Sequence, residues 1–131
     1  MDEGAKFQAS SSAQGKHYEN HVRFVLAQRG WTAVSDRPTK VAGGEVDIVA
    51  LDPDGRLWWI ECKGSYKDQP GCERLDTVKK ALATAWVLRQ LNPDRPAYML
   101  ATTNKPKAGS AGEQHLSLAL FCGLFDRVEV I

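Results

Sequence analysis

The chain has 131 residues, 43% of them hydrophobic and 25% charged, with a formal net charge of +1. That length and mix predict one globular domain with a core of its own, and the near-neutral balance argues against a strongly basic nucleic-acid coat. No apolar run approaches the roughly 20 residues of a membrane helix, the start MDEGAKFQASSSAQG has no apolar signal core, and three scattered cysteines make neither a disulfide framework nor a CxxC zinc site. The expected home is the reducing cytoplasm, away from membranes.

Residues 1–12 are small and polar and are expected to form a flexible N-terminal tail, leaving 13–131 as the single domain. A helix is predicted from about Ser12 to Arg29, because Tyr18, Val22, Val25, Leu26 and Arg29 recur every three or four residues and Gly30 stops the run. WTAVS (31–35) predicts a short strand, and DRPTKVAGG predicts a loop. Residues 45–51 and 56–63 alternate as strands. Glu73 to Leu91 predicts a helix with a stripe of Leu75, Val78, Leu82, Ala85, Trp86 and Arg89, ended by NPDRP. AYMLAT (97–102) predicts a buried strand. Ser110 caps a helix running to about Leu124, with Glu113 as its capping-box partner, and RVEVI (127–131) predicts a last strand. The second helix would join parallel strands through a right-handed crossover. The expected class is α/β, a mixed central sheet flanked by helices.

One stretch carries charges where apolar strands normally have none: GGEVDIVALDPDGRLWWIECKG, residues 43–64. LDPDGR suits a type I turn followed by a left-handed glycine, a three-residue loop of Pro53, Asp54 and Gly55. That loop sets Asp52 against Arg56, Asp47 against Glu61 and Glu45 against Lys63. Opposed residues have Cβ atoms about 4.5–5.5 Å apart, and Glu61 and Lys63 share a face at about 6.7 Å along the strand. A two-residue loop would set Asp47 against Ile60 and break the cluster.

Two facing carboxylates repel when both are ionised and buried, so one is protonated or a cation lies between them. Hard oxygen donors suit Mg²⁺ or Mn²⁺. Lys63 beside such an ion can orient water or stabilise developing negative charge, and the set is a kit for phosphodiester hydrolysis. The competing reading is a surface ion-pair ladder of little energetic value. Trp59, on the same side as Glu61, argues against a fully solvated face. Charge along the chain agrees weakly with a phosphate-receiving site: residues 1–62 hold seven Lys/Arg and nine Asp/Glu, residues 63–131 ten and seven.

Asp47, thirteen intervening residues, then Glu61-Cys62-Lys63 resembles the signature of the PD-(D/E)xK nuclease superfamily, and GGEVDIVA with LWWIECKG is similar to small Holliday-junction-resolvase-like nucleases. The resemblance covers roughly residues 16–102, with Val46 where the signature's proline would stand. It implies a restriction-endonuclease-like αβββαβ core and a Mg²⁺- or Mn²⁺-dependent endonuclease acting on DNA. It further implies Asp47 and Glu61 as metal ligands with the Cys62 backbone carbonyl, Lys63 assisting the attacking water, and Glu19 of GKHYENHV completing the site. Glu19 lies on the buried stripe, where bordering the core or pairing with Arg23 is the plainer role. The resemblance also makes Arg74 or Lys79, on the helix after the signature, candidates for phosphate contact, against the simpler role of a solvated helix face. Lys105 and Lys107, before a helix N-terminus, are candidates on the anion affinity of such termini, against an ordinary loop. His17 and His21 lack a third ligand and are expected to be solvated. The four tryptophans are expected in the core, with Trp31 and Trp58 partly exposed. A homodimer would provide two sites for two strands. The other functional readings are an inactive nucleic-acid-binding or assembly module with the same fold, and a ribonuclease.

Overall fold

The computed structural model describes residues 3–64 and 71–131, with side chains from residue 15 on. A four-stranded sheet in the order β3-β4-β5-β6 forms the centre: β3 (Ile48–Leu51), β4 (Leu57–Lys63), β5 (Ala97–Thr102) and β6 (Arg127–Val130). β3 and β4 are antiparallel, and β5 and β6 each run parallel to the preceding strand. Helix α1 (Glu3–Gln28) covers one face, and α2 (Leu75–Leu91) and α3 (Ala111–Phe121) cover the other. The mixed α/β class read from the sequence is the one observed.

Alternation along β4 builds both cores. Trp58 and Ile60 point to α1, where they meet Tyr18, Val22, Leu26, Met99 and Ala101. Trp59 points the other way, towards Val78, Ala85, Tyr98, Leu100 and Leu116. Tyr18, Val22 and Leu26 repeat every four residues and are fully buried, each worth roughly 1.5–3 kcal/mol of apolar burial. Leu26→Ala would open a cavity on this face at a cost of about 2–5 kcal/mol.

The hairpin has the expected loop. Asp52 exchanges backbone hydrogen bonds with Arg56 and Gly55, Gly55 has φ +84°, and the register is Ile48↔Ile60 through Leu51↔Leu57. The Asp52 carboxylate accepts from the N–H groups of Asp54 and Arg56 and from the Trp58 indole, which stiffens the turn.

Several local expectations are corrected. Helix α1 begins at Glu3, earlier than the start near Ser12 read from the sequence; residues 1 and 2 lie outside the described residues. WTAVS makes an isolated bridge, Thr32↔Leu51, in place of a strand. The expected loop before Glu45 contains β1 (Thr39–Val41), paired with β2 (Gly44–Val46). Glu45 therefore pairs with Lys40 and is exposed, not opposite Lys63. The run 45–51 breaks at Asp47 into two strands of different sheets. The inner face of α2 is Val78, Ala81, Ala85 and Leu88, while Trp86 is 56% exposed. The alanines let the helix sit close to the sheet, which turns the bulky indole outward. Trp31 and Trp58 are both buried, their tilted rings 6.0 Å apart. Ser110 caps α3 by accepting from the Glu113 N–H, and the Glu113 carboxylate reaches the N–H of Gly109, one residue before the usual capping-box partner.

Candidate functional site

Strands β4, β5 and β6 end at the same edge of the sheet, and the chain gathers its acids there. Outside the carboxyl ends of parallel strands is where open α/β sheets bind ligands. The Tyr18 hydroxyl donates to the carbonyl of Ile131 just past β6, which fixes this part of α1 at that edge. Glu19, the next residue, is thereby brought to the site.

Asp47 sits at the bend between β2 and β3. Its Oδ2 accepts the backbone N–H of Cys62 at 2.8 Å, so the carboxylate takes the place of a ladder bond at the end of the hairpin. The bend is held from α1. Arg23 donates from Nη2 to the Asp47 carbonyl at 3.0 Å, from Nε to the Ser35 carbonyl at 2.8 Å and from Nη1 to Asn20 Oδ1 at 2.8 Å. The same guanidinium stands 3.8 Å from Glu19 Oε2. Ser35 in turn accepts the Val49 N–H with its hydroxyl and donates its own N–H to the Val49 carbonyl. A single arginine thus ties α1, the segment before β1 and the start of β3 together.

Glu61 points to the α2–α3 side and is only 6% exposed. Its Oε1 lies 3.3 Å from Lys63 Nζ, the next residue on that face. Burial, then the charge of Asp47, raises the Glu61 carboxyl to about 7, against the pull of Lys63. Burial and Asp47 likewise raise Glu19 to about 7, with Arg23 opposing. Burial is also the main influence on Asp47, and it raises that carboxyl despite the Cys62 N–H, Lys63 and Arg23. Three acids at one edge therefore resist being ionised together, which is the electrostatic condition that a cation relieves.

The structure brings Asp47, Glu61, Lys63 and Glu19 into one electrostatic group, together with the backbone of Cys62. The Cys62 N–H faces Asp47, and in an extended strand the carbonyl of the same residue faces the same lateral side. As the side chains stand, no three His, Cys, Asp or Glu groups among the described residues form a ready-made metal cluster. Glu61 is turned to Lys63, and Asp47 to Cys62.

The basic candidates lie on the surface around the same edge. Arg74 is the N-cap of α2, and Gly71 just before it packs so closely that a Cβ there would stand 2.9 Å from the Lys63 carbonyl oxygen. Lys79 is exposed in the second turn of α2, and Lys105 and Lys107 are exposed in the loop after β5. Arg23 was legible in the sequence only as a partner for Glu19. Its place beside Val22 on the buried stripe was the available signal, since an arginine there needs acceptors.

Neither a family model nor a curated protein matches the chain. Solved structures do share its fold. A repair endonuclease from Pyrococcus abyssi superposes with a TM-score of 0.54 at 14% identity, over 88% of this chain and 46% of that one. EndoMS in a complex with double-stranded DNA gives 0.55 at 16% identity, over 89% and 44%. A protein of unknown function gives 0.54 at 17% identity, over 88% and 56%. The chain spans about half the length of these structures. At such identities the likeness establishes the fold: a mixed sheet flanked by helices, as in these endonucleases.

Proposed function

We propose that this chain is a metal-dependent endonuclease of the PD-(D/E)xK type that hydrolyses phosphodiester bonds in DNA. The observation that carries the reading is the convergence of Asp47, Glu61 and Glu19 beside Lys63 at the carboxyl edge of the sheet. The shared fold with a repair endonuclease and with EndoMS in its complex with double-stranded DNA supports it.

The donor chemistry fits Mg²⁺ or Mn²⁺, which prefer carboxylate, carbonyl and water oxygens. Asp47, Glu61 and the Cys62 carbonyl would hold the ion, with Glu19 bound directly or through water. When bound, it lowers the pKa of its water and neutralises charge on the phosphate. The remaining work belongs to the chain. Arg23 holds the bend that aims Asp47. The ammonium of Lys63 orients the attacking water and stabilises the charge that develops on the phosphoryl oxygens. Water attacks phosphorus in line, and the leaving oxygen departs on the opposite side. Arg74, Lys79, Lys105 and Lys107 attract the nucleic-acid backbone. A homodimer would bring two such sites to two strands.

A cleavage panel tests the reading: supercoiled plasmid, linear duplex, single strand, four-way junction and RNA, each with Mg²⁺, Mn²⁺ or chelator. The expected result is metal-dependent cutting of a DNA substrate. Cutting of RNA alone would move the substrate class, and no cutting at all would favour a binding module.

A further inference from the structure

Tyr98 is the second residue of β5 and is fully buried. Trp59 meets its ring edge-on at 6.5 Å, Phe125 packs at 5.2 Å, and the Arg95 guanidinium lies 5.3 Å over its face. A phenylalanine would fill the same space. The hydroxyl has no hydrogen-bond partner among the described residues. A buried hydroxyl without a partner is destabilising, and buried tyrosines normally find one.

The register shows where that hydroxyl belongs. Parallel pairing sets Trp59 beside Tyr98 and Glu61 beside Leu100, so Tyr98 and Glu61 share a face of adjacent strands, one diagonal step apart. After burial itself, the Glu61 charge is the largest influence raising the Tyr98 hydroxyl and a hydrogen bond to Glu61 a lesser one, so the hydroxyl faces that carboxylate just short of full bonding distance. Glu61 is meanwhile held by Lys63 at 3.3 Å. One carboxylate therefore has two cationic or donor neighbours on its own face, and it engages one of them.

We propose that Tyr98 is a positioning residue whose hydroxyl becomes the partner of the Glu61 carboxylate when that carboxylate turns from Lys63, leaving the lysine amine free for the attacking water. The proposal rests on the nuclease reading above. It explains why a core position of β5 carries a phenol. Donors to a ligating carboxylate fix its orientation, and their loss typically costs roughly 10–100-fold in metal affinity or activity.

Tyr98→Phe removes the hydroxyl and keeps the ring. Three quantities are compared with the parent protein: the melting temperature without metal, the Mn²⁺ dissociation constant by calorimetry, and kcat and KM for the best DNA substrate. The expected variant melts at the same temperature or higher, binds Mn²⁺ roughly 10–100-fold more weakly, and loses kcat by a similar factor with KM unchanged. A variant with unchanged Mn²⁺ affinity and kcat overturns the proposal, and so does one that melts several degrees lower, since the hydroxyl would then serve the fold. A parent protein that neither cuts nor binds Mn²⁺ overturns the nuclease reading and this role with it. A parent that does both beside an indifferent Tyr98→Phe overturns this role alone.

Discussion

The Asp47 carboxylate accepts the backbone N–H of Cys62 across 15 residues of sequence, at 2.8 Å. This bond closes the hairpin at the site edge and places a half-buried acid beside Glu61. Everything the site can do follows from holding those two acids together.

Stability should fall with rising pH through the neutral range. Glu61 and Glu19 titrate near 7 in the folded chain, above the ordinary 4.5. A raised carboxyl favours folding below the unfolded value and loses that contribution as pH rises through the folded one. Asp36, lowered by its bond to Arg37, and Asp52, lowered by the Trp58 indole, have their effect below the usual carboxylate range, outside this window. The metal-free protein should therefore melt lower at pH 8 than at pH 5. Asp47→Asn keeps an acceptor for the Cys62 N–H and removes the repulsion. It should gain roughly 0.5–2 kcal/mol at pH 8 and lose cleavage. Thermal melts across pH 5–8 check the sign.

Lys63→Ala should steepen that loss of stability with pH. Lys63 holds the Glu61 carboxyl down, so its removal raises that carboxyl further. At pH 5 Glu61 is protonated in both proteins and the cost is small. At pH 8 the variant must keep Glu61 protonated against the solvent or bury its carboxylate unpaired, a loss of about 1–3 kcal/mol. Urea denaturation at the two pH values should show the gap opening with pH.

Arg23 should matter to fold and site together. Arg23→Gln withdraws the charged donors from the Asp47 and Ser35 carbonyls, at a cost of about 1.5–3 kcal/mol. Cleavage should fall further than stability explains, because the Asp47 bend loosens. Arg23→Lys keeps the charge without the planar fork and should fall between the two. Denaturation and single-turnover rates on the same preparations separate the effects.

Lys105 and Lys107 should contribute to affinity rather than chemistry. If both contact phosphates, Lys105→Gln with Lys107→Gln reduces the slope of log K against log salt by about 1.8 on duplex DNA. An unchanged slope would assign them to an ordinary loop.

Much of the site was legible because turn chemistry is local. Pro53 and Gly55 fix the loop, and the loop fixes which residue faces which. The same logic failed for Glu45, since it assumed the strand continued past Asp47. The chain bends there, where Arg23, distant in sequence, donates to the Asp47 carbonyl. The α2 stripe was misread for a similar reason: periodicity does not tell Ala81 from Trp86, and closeness to the sheet decides which goes inside. Tyr98 was invisible as a site residue, because its nearness to Glu61 arises only when β5 lies parallel to β4.

The cleanest trial is single-turnover cleavage of the best DNA substrate by the parent, Asp47→Asn and Lys63→Ala proteins, each in Mg²⁺ and in chelator at pH 8. Cutting by the parent in Mg²⁺ alone, with both folded variants inert, is the predicted pattern. Equal cutting in chelator, or by either variant, would contradict the assignment of the acid–lysine group as the catalytic centre.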